Sequence, residues 1–149
     1  MTTKGGKYPD TSSCAGLKLT VMARTVYEGY RVSFGNAHVP GGRFAFGYKA
    51  DFHPPLGQFG HVIIPFHDFS NKWDDVTGDQ IVACTQDSRY CPKKKALKNL
   101  KTISIWGEGF PGAVHLEIKS ISAVGCADAG KVVPMFRAQR SSNANKLLR

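Results

Sequence analysis

The sequence lacks the features that mark a membrane-spanning chain or a common enzyme. No apolar run approaches the roughly 18 residues that a transmembrane helix needs, so we predict no transmembrane segment. The HExxH pattern of zinc proteases, the GxSxG pattern of hydrolases and the phosphate-binding P-loop are all absent. The glycines on either side of Glu108 are interpreted as a turn. The sequence therefore assigns no catalytic residue and no cofactor, and we expect a protein that is not an enzyme.

Acidic residues are scarce beside basic ones. The chain has 20 Lys and Arg residues against 11 Asp and Glu residues, which gives a net charge of +9. One acid-free group of cations lies within residues 93–101, and a second lies within residues 131–149. Such surfaces attract an acidic protein face, anionic lipid headgroups or nucleic acid. The candidate binding cations are Lys93, Lys94, Lys95, Arg137 and Arg140. The alternative is an ordinary solvated surface.

Apolar and polar residues alternate along much of the chain, as they do in half-buried β-strands. The alternation begins near Ala15 and covers six segments, which are 17–23, 30–34, 43–52, 60–66, 100–106 and 114–121. Turns rich in Gly and Pro separate the segments, and the one helical turn that we predict lies at 94–100. The pattern predicts an all-β fold, either an antiparallel β-sandwich or a jelly roll.

The length of the chain and the extent of the alternation predict one domain with two extensions. A chain of 149 residues suits a single domain. We predict a flexible leader over residues 1–14 and a β-sandwich over residues 15–126. The apolar alternation stops after Cys126, so residues 127–149 are predicted to form a basic, extended tail.

The four cysteines allow three different pairings into two disulfides. Cys84 and Cys91 flank a short loop, and we predict that a disulfide closes it, with Cα atoms less than about 7 Å apart. Their spacing is not the CxxC pair of a zinc site. The alternative is that all four cysteines are reduced.

Two groups of residues are candidates for binding a small ligand. The acidic loop 73–79 contains the calcium candidates Asp74, Asp75 and Asp79, because hard cations take carboxylate oxygens. Its alternative is a solvated turn. Trp73 and Trp106 are the candidates for stacking on a sugar ring. None of the five histidines has metal-ligand spacing, so we predict no other metal site.

Three segments of the sequence resemble a known family. Residues Tyr27–Phe34 are the first. The second ends in Ile-Pro-Phe-x-x-Phe, from Ile64 to Phe69. The third, ending at Ala123, has the form hydrophobic-x-Leu-Glu-Ile-x-x-Ile-x-Ala. Together they resemble the complex I intermediate-associated protein family over roughly residues 15–124. The resemblance implies a galactose-binding-like jelly roll, related in shape to some carbohydrate-binding modules.

The resemblance also implies a function. It suggests a non-catalytic protein-binding module, either an assembly factor or a peripheral accessory subunit of a membrane-associated respiratory or photosynthetic complex, in a mitochondrion or plastid. Family members carry strands before the segment that matches Ala15. We therefore expect an open sheet edge or an uncovered apolar face that contacts another subunit. The basic tail is expected to add an electrostatic contact. The alternatives are a carbohydrate-binding module and, after it, a nucleic-acid binder.

Overall fold

The computed structural model describes residues 8–35, 47–127 and 133–137. Within these ranges it has seven β-strands and one α-helix. The strands form two antiparallel sheets that enclose one hydrophobic core, so the predicted antiparallel β-sandwich is confirmed. In this part of the chain, no helix has the length and apolar character that crossing a bilayer requires.

The larger sheet has four strands, in the order β4-β1-β6-β7. Its strands are β1 (Gly16–Ala23), β4 (Gly60–Pro65), β6 (Leu116–Val124) and β7 (Val133–Arg137). The register of β6 against β1 shifts between Thr20 and Val21. Because of this bulge, Leu116 and Ile121 both face the core although an odd number of positions separates them.

The smaller sheet has three strands, in the order β3-β2-β5. Its strands are β2 (Tyr30–Gly35), β3 (Tyr48–Asp51) and β5 (Thr102–Gly107). Tyr30, Val32 and Phe34 belong to the core, which places Arg31 and Ser33 on the outer face. The predicted strand over residues 43–52 is confirmed for β3, while residues 43–46 lie outside the described ranges.

The Ile-Pro-Phe-x-x-Phe motif closes one end of the core. Phe66 begins a short 3₁₀ turn directly after β4, and Phe69 follows that turn. Both rings are buried, and their centroids lie 5.7 Å and 4.8 Å from that of Phe34. The motif is therefore explained by packing.

The N-terminal boundary differs from the predicted leader over residues 1–14. Thr11 is fully buried, and its N–H and hydroxyl both donate to the Leu97 carbonyl, at 3.0 and 2.8 Å. Cys14 forms a disulfide with Cys126. The prediction is wrong for residues 8–14 because hydrogen bonds and a disulfide fix a segment that has no apolar periodicity.

The C-terminal boundary also differs, because β7 lies inside the range predicted as a tail. It pairs with β6, with Val133 opposite Ala123 and Arg137 opposite Ser120. A five-residue strand that contains a proline has too short an alternation to be recognised in the sequence. The other residues of the predicted tail from 128 onward lie outside the described ranges.

The region between β4 and β5 contains the only α-helix in the described ranges, α1 (Lys94–Lys98). This helix confirms the helical turn predicted at 94–100, and it buries Ala96 and Leu97. The predicted disulfide between Cys84 and Cys91 is also confirmed, with Cα atoms 4.5 Å apart.

Candidate functional site

The outer face of the three-stranded sheet is charged and yet buried. Arg31 on β2 and Lys49 on β3 each expose only 1% of their surface. Residues 70–82 lie across this face, and we call them the covering segment. Ser70 and Lys49 exchange backbone hydrogen bonds in both directions, and the Gln80 amide donates to the Lys49 carbonyl at 2.8 Å. The covering segment is therefore attached directly to the strand that carries one of the two buried cations.

Three carboxylates surround the Arg31 guanidinium. Its Nε donates to Asp51 at 2.7 Å, and its Nη2 donates to Asp79 at 2.6 Å. Its Nη1 donates to the Thr77 carbonyl and lies 3.7 Å from Glu108 Oε1. The Asp51 and Asp79 side chains are 60% and 64% exposed. Carboxylates at the surface thus neutralise the buried guanidinium. Burying a charge without such partners is costly.

The Lys49 ammonium lies between two indole rings. It is 3.9 Å from the ring centroid of Trp73, 4.4 Å from that of Trp106 and 2.5 Å from Glu108 Oε1. A cation over an aromatic face is attracted to it. The structure therefore brings the two predicted stacking residues together, with the Lys49 ammonium over one face of each ring. Both indoles are half-buried, so their role in sugar binding stays a prediction.

The structure gives separate roles to the candidate calcium ligands, Asp74, Asp75 and Asp79. The Asp74 carboxylate accepts hydrogen bonds from the N–H groups of Thr77 and Val76, at 3.0 and 2.8 Å, and these lower the pKa of Asp74. Asp79 is paired with Arg31, and Asp75 is exposed. Among the described residues, no group of three or more His, Cys, Asp or Glu side chains is placed to hold a metal ion. Two of the three carboxylates thus already have hydrogen-bond or ion-pair partners, and calcium binding by this loop stays a prediction.

Gly78 allows the covering segment to approach the ion pairs closely. Its φ of +77° lies in the left-handed region that favours glycine. A Cβ atom at this position would collide with the Glu108 carboxylate and the Arg31 guanidinium. Thr77 and Asp79 reach Arg31 because nothing larger than glycine stands between them.

The exposed lysine cluster lies at one end of the sandwich, and we call this the lysine end. Its members are Lys93, Lys94, Lys95, Lys98 and Lys101. Lys101 N–H donates to the carbonyl of Gly35, which ends β2. None of these lysines forms an ion pair with another described residue. Of the other predicted cations, Arg137 lies in β7 and Arg140 lies outside the described ranges.

The opposite end of the sandwich exposes apolar side chains, and we call it the apolar end. Loops 24–29, 52–59 and 108–115 contribute Val26, Leu56, Phe59, Phe110 and Val114, all of them exposed. The Tyr27 hydroxyl donates to the Phe110 carbonyl at 3.0 Å, which links the first and third loops. Backbone hydrogen bonds join Ala23, at the end of β1, to Pro55 and Gly57 of the second loop. The three loops are thus held next to one another.

Sequence reasoning missed Arg31, Lys49 and Glu108. The two cations occupy outward positions of predicted strands, where a polar side chain is ordinary, so nothing marked them as buried. The sequence does contain two cations on predicted strands and an acidic loop, and these could have been considered as ion-pair partners. Whether those groups meet depends on strand order, which periodicity does not give.

Comparison with protein-family models, with curated proteins and with solved structures gives no match for this chain. The resemblance to the complex I intermediate-associated protein family therefore stays an expectation based on its motifs.

Proposed function

We propose that this chain is a non-catalytic protein-binding module, acting as an assembly factor or as a peripheral accessory subunit of a membrane-associated complex. The observation that carries the proposal is the apolar end. Single exposed apolar side chains are ordinary on a protein surface. Five exposed apolar side chains on three neighbouring loops are unusual. Exposed apolar groups that lie close together on a surface mark interfaces.

The buried cations Arg31 and Lys49 and their carboxylate partners, which we call the buried charged layer, support the proposal by fixing one loop of the apolar end. Glu108 begins the third loop, and its carboxylate bonds Lys49 while its N–H donates to the Gly29 carbonyl at 3.0 Å. This loop is therefore attached both to the covered face and to the first loop. A surface that is ordered before binding loses less conformational entropy when a partner docks.

The lysine end supports the proposed attachment to a membrane-associated complex. Its lysines are exposed and form no ion pair with the described residues, so an acidic protein face or anionic headgroups at a membrane surface would complement it. The assignment to a respiratory or photosynthetic complex, and to a mitochondrion or plastid, depends on the motif resemblance alone.

The carbohydrate-binding alternative has less support. Trp73 and Trp106 lie on either side of the Lys49 ammonium, so a sugar would have to use the solvent-exposed remainder of each ring. A glycan array probed with the whole chain tests this alternative directly.

The proposal is tested by placing a charge at the apolar end. Tagged full-length chains carrying Val26→Asp or Val114→Asp are expressed in the native source and purified under mild conditions. We expect the amount of co-purified partner to fall by about tenfold, because each carboxylate would be desolvated in the interface. The matched control is Val76→Asp, which changes another exposed valine on the covering segment. Equal recovery of the same partner with all three variants would contradict the proposal.

A further inference from the structure

Strand β4 is an open edge of the four-stranded sheet. It is the outermost strand, and its pairing partner is β1. Within the described ranges, no backbone hydrogen bond reaches β4 from its outer side. A row of unpaired backbone groups is a template for another strand.

The outward backbone groups belong to His61 and Ile63. Hydrogen bonds beside both ends of β1 show that its odd-numbered residues direct their backbone groups towards β4. At one end Phe66 N–H donates to the Ala15 carbonyl, and at the other Gly57 N–H donates to the Ala23 carbonyl. These odd-numbered residues lie opposite the even-numbered residues of β4. Because backbone groups alternate in direction along a strand, the N–H and C=O groups of His61 and Ile63 point away from β1 and meet no other strand of the described ranges.

This edge has little of the protection that edge strands usually carry. Lysine, proline, bulges and charged side chains commonly prevent pairing at an edge. β4 contains no Lys, Arg, Asp or Glu, and its proline, Pro65, is its last residue. Ile63 is 61% exposed on the outer face of the sheet. The middle of the strand is therefore available for pairing.

The charges around β4 favour an acidic partner over a second copy of the chain. Lys18 lies opposite Ile63 on β1, and the Lys119 ammonium lies 5.9 Å from the ring of Phe59, which precedes β4. Neither lysine has an ion-pair partner among the described residues. Two copies paired through β4 would bring together two molecules that each carry a net charge of +9, and like charges repel.

We infer that β4 accepts an extended segment of the partner protein as an additional strand. That segment carries an apolar residue opposite Ile63 and acidic residues near Lys18 and Lys119. Backbone hydrogen bonds supply affinity, and alternate side chains supply specificity. The inference rests on the proposed protein-binding function and identifies the chemistry of one partner segment.

The test selects peptide ligands on the full-length chain from a phage-displayed library of random peptides. We expect enriched sequences with an apolar residue and with acidic residues two positions away from it, because side chains at i and i±2 share the face that carries Ile63 and Lys18. Synthetic copies should protect the amide hydrogens of His61 and Ile63 from exchange. Ile63→Pro removes an outward N–H that β1 does not use, so it should weaken peptide binding about tenfold, which is about 1.4 kcal/mol. Ile63→Val retains the N–H and is the matched control.

A second variant keeps the inference testable if Ile63→Pro fails to fold. Ile63→Asp keeps the backbone donor and changes an exposed side chain, and it should weaken the same peptides by repelling their carboxylates. The inference is overturned if no peptide is enriched, if the enriched peptides are basic, or if both Ile63→Pro and Ile63→Asp bind them as the unchanged chain does. The proposed function is tested separately, because the apolar-end variants are measured on the native complex. It can therefore hold even if the inference about β4 fails.

Discussion

Glu108 is the residue on which the buried charged layer depends most. Its carboxylate reaches both Lys49 and Arg31, and its side chain is only 18% exposed. Arg31 has two further carboxylate partners, Asp51 and Asp79, whereas Lys49 has no other carboxylate partner among the described residues. Because removing one partner of a buried pair leaves an uncompensated charge, Glu108 matters more for Lys49 than for Arg31.

Replacing Glu108 with Gln is expected to lower the free energy of unfolding by about 3 kcal/mol, since the Lys49 ammonium stays buried without a counterion. Urea denaturation followed by tryptophan fluorescence measures the change. The double variant Lys49→Met/Glu108→Gln removes both charges and should regain most of the loss, because it leaves no uncompensated ammonium in the buried layer. A double variant that is as unstable as Glu108→Gln would show that the ion pair is not the cause.

At the scale of secondary-structure elements, the two disulfides act over very different lengths of chain. Cys14–Cys126 joins residues 112 positions apart and connects the segments that flank β1 and β6. Cys84–Cys91 joins residues 7 positions apart and closes a local loop. A longer closed loop removes more entropy from the unfolded chain, so the bridge that the sequence did not predict should be the more stabilising one.

Replacing both cysteines of one bridge by serine tests this difference. Loop-closure entropy gives a loss of about 5 kcal/mol for Cys14–Cys126 and about 2 kcal/mol for Cys84–Cys91. Chemical denaturation of the two double variants, side by side, measures both values. An equal loss, or a larger loss from Cys84–Cys91, would contradict this ordering.

The strands with alternating apolar residues were the predictable part of the fold. β1 and β2 follow that pattern, and both are confirmed. β7 was not predicted because it is short and contains Pro134, and its position depends on pairing with β6. Thr11 was assigned to a leader because no local pattern reveals that its hydroxyl bonds Leu97, which is distant in the sequence.

The candidate site was less predictable than the fold, because it is made of contacts between distant residues. Trp73 and Trp106 are the predicted residues for stacking on a sugar ring, and their shared contact with the Lys49 ammonium could not be read from the sequence. The open edge was expected in general terms, while its assignment to β4 needs the strand order. Sequence periodicity gives the face on which a side chain lies, and tertiary structure gives what covers that face.

At the scale of the whole molecule, the described residues divide into two dissimilar ends. The apolar end gathers exposed apolar side chains, and the lysine end gathers exposed cations. A chain held in an assembly through the first end would leave the second free to meet an acidic surface. The second contact should then be electrostatic and sensitive to salt.

Reversing one charge at the lysine end tests that contact. Lys94→Glu should reduce the recovery of the native partner several-fold at low salt and make less difference as salt rises, because exposed charges are screened. Lys72→Glu is the matched control, since it changes an exposed lysine on the covering segment. Equal recovery for the two variants at low salt would mean that the lysine end is only a solvated surface.

We propose that this chain binds a protein partner through the apolar end and the open edge of β4. Hydrogen exchange of the full-length chain, alone and within its native complex, tests this claim most directly. We expect the complex to slow exchange in loops 24–29 and 108–115 and at His61 and Ile63, with little change in the covering segment. Slower exchange confined to residues 70–82, or unchanged exchange at both the apolar end and β4, would contradict the account.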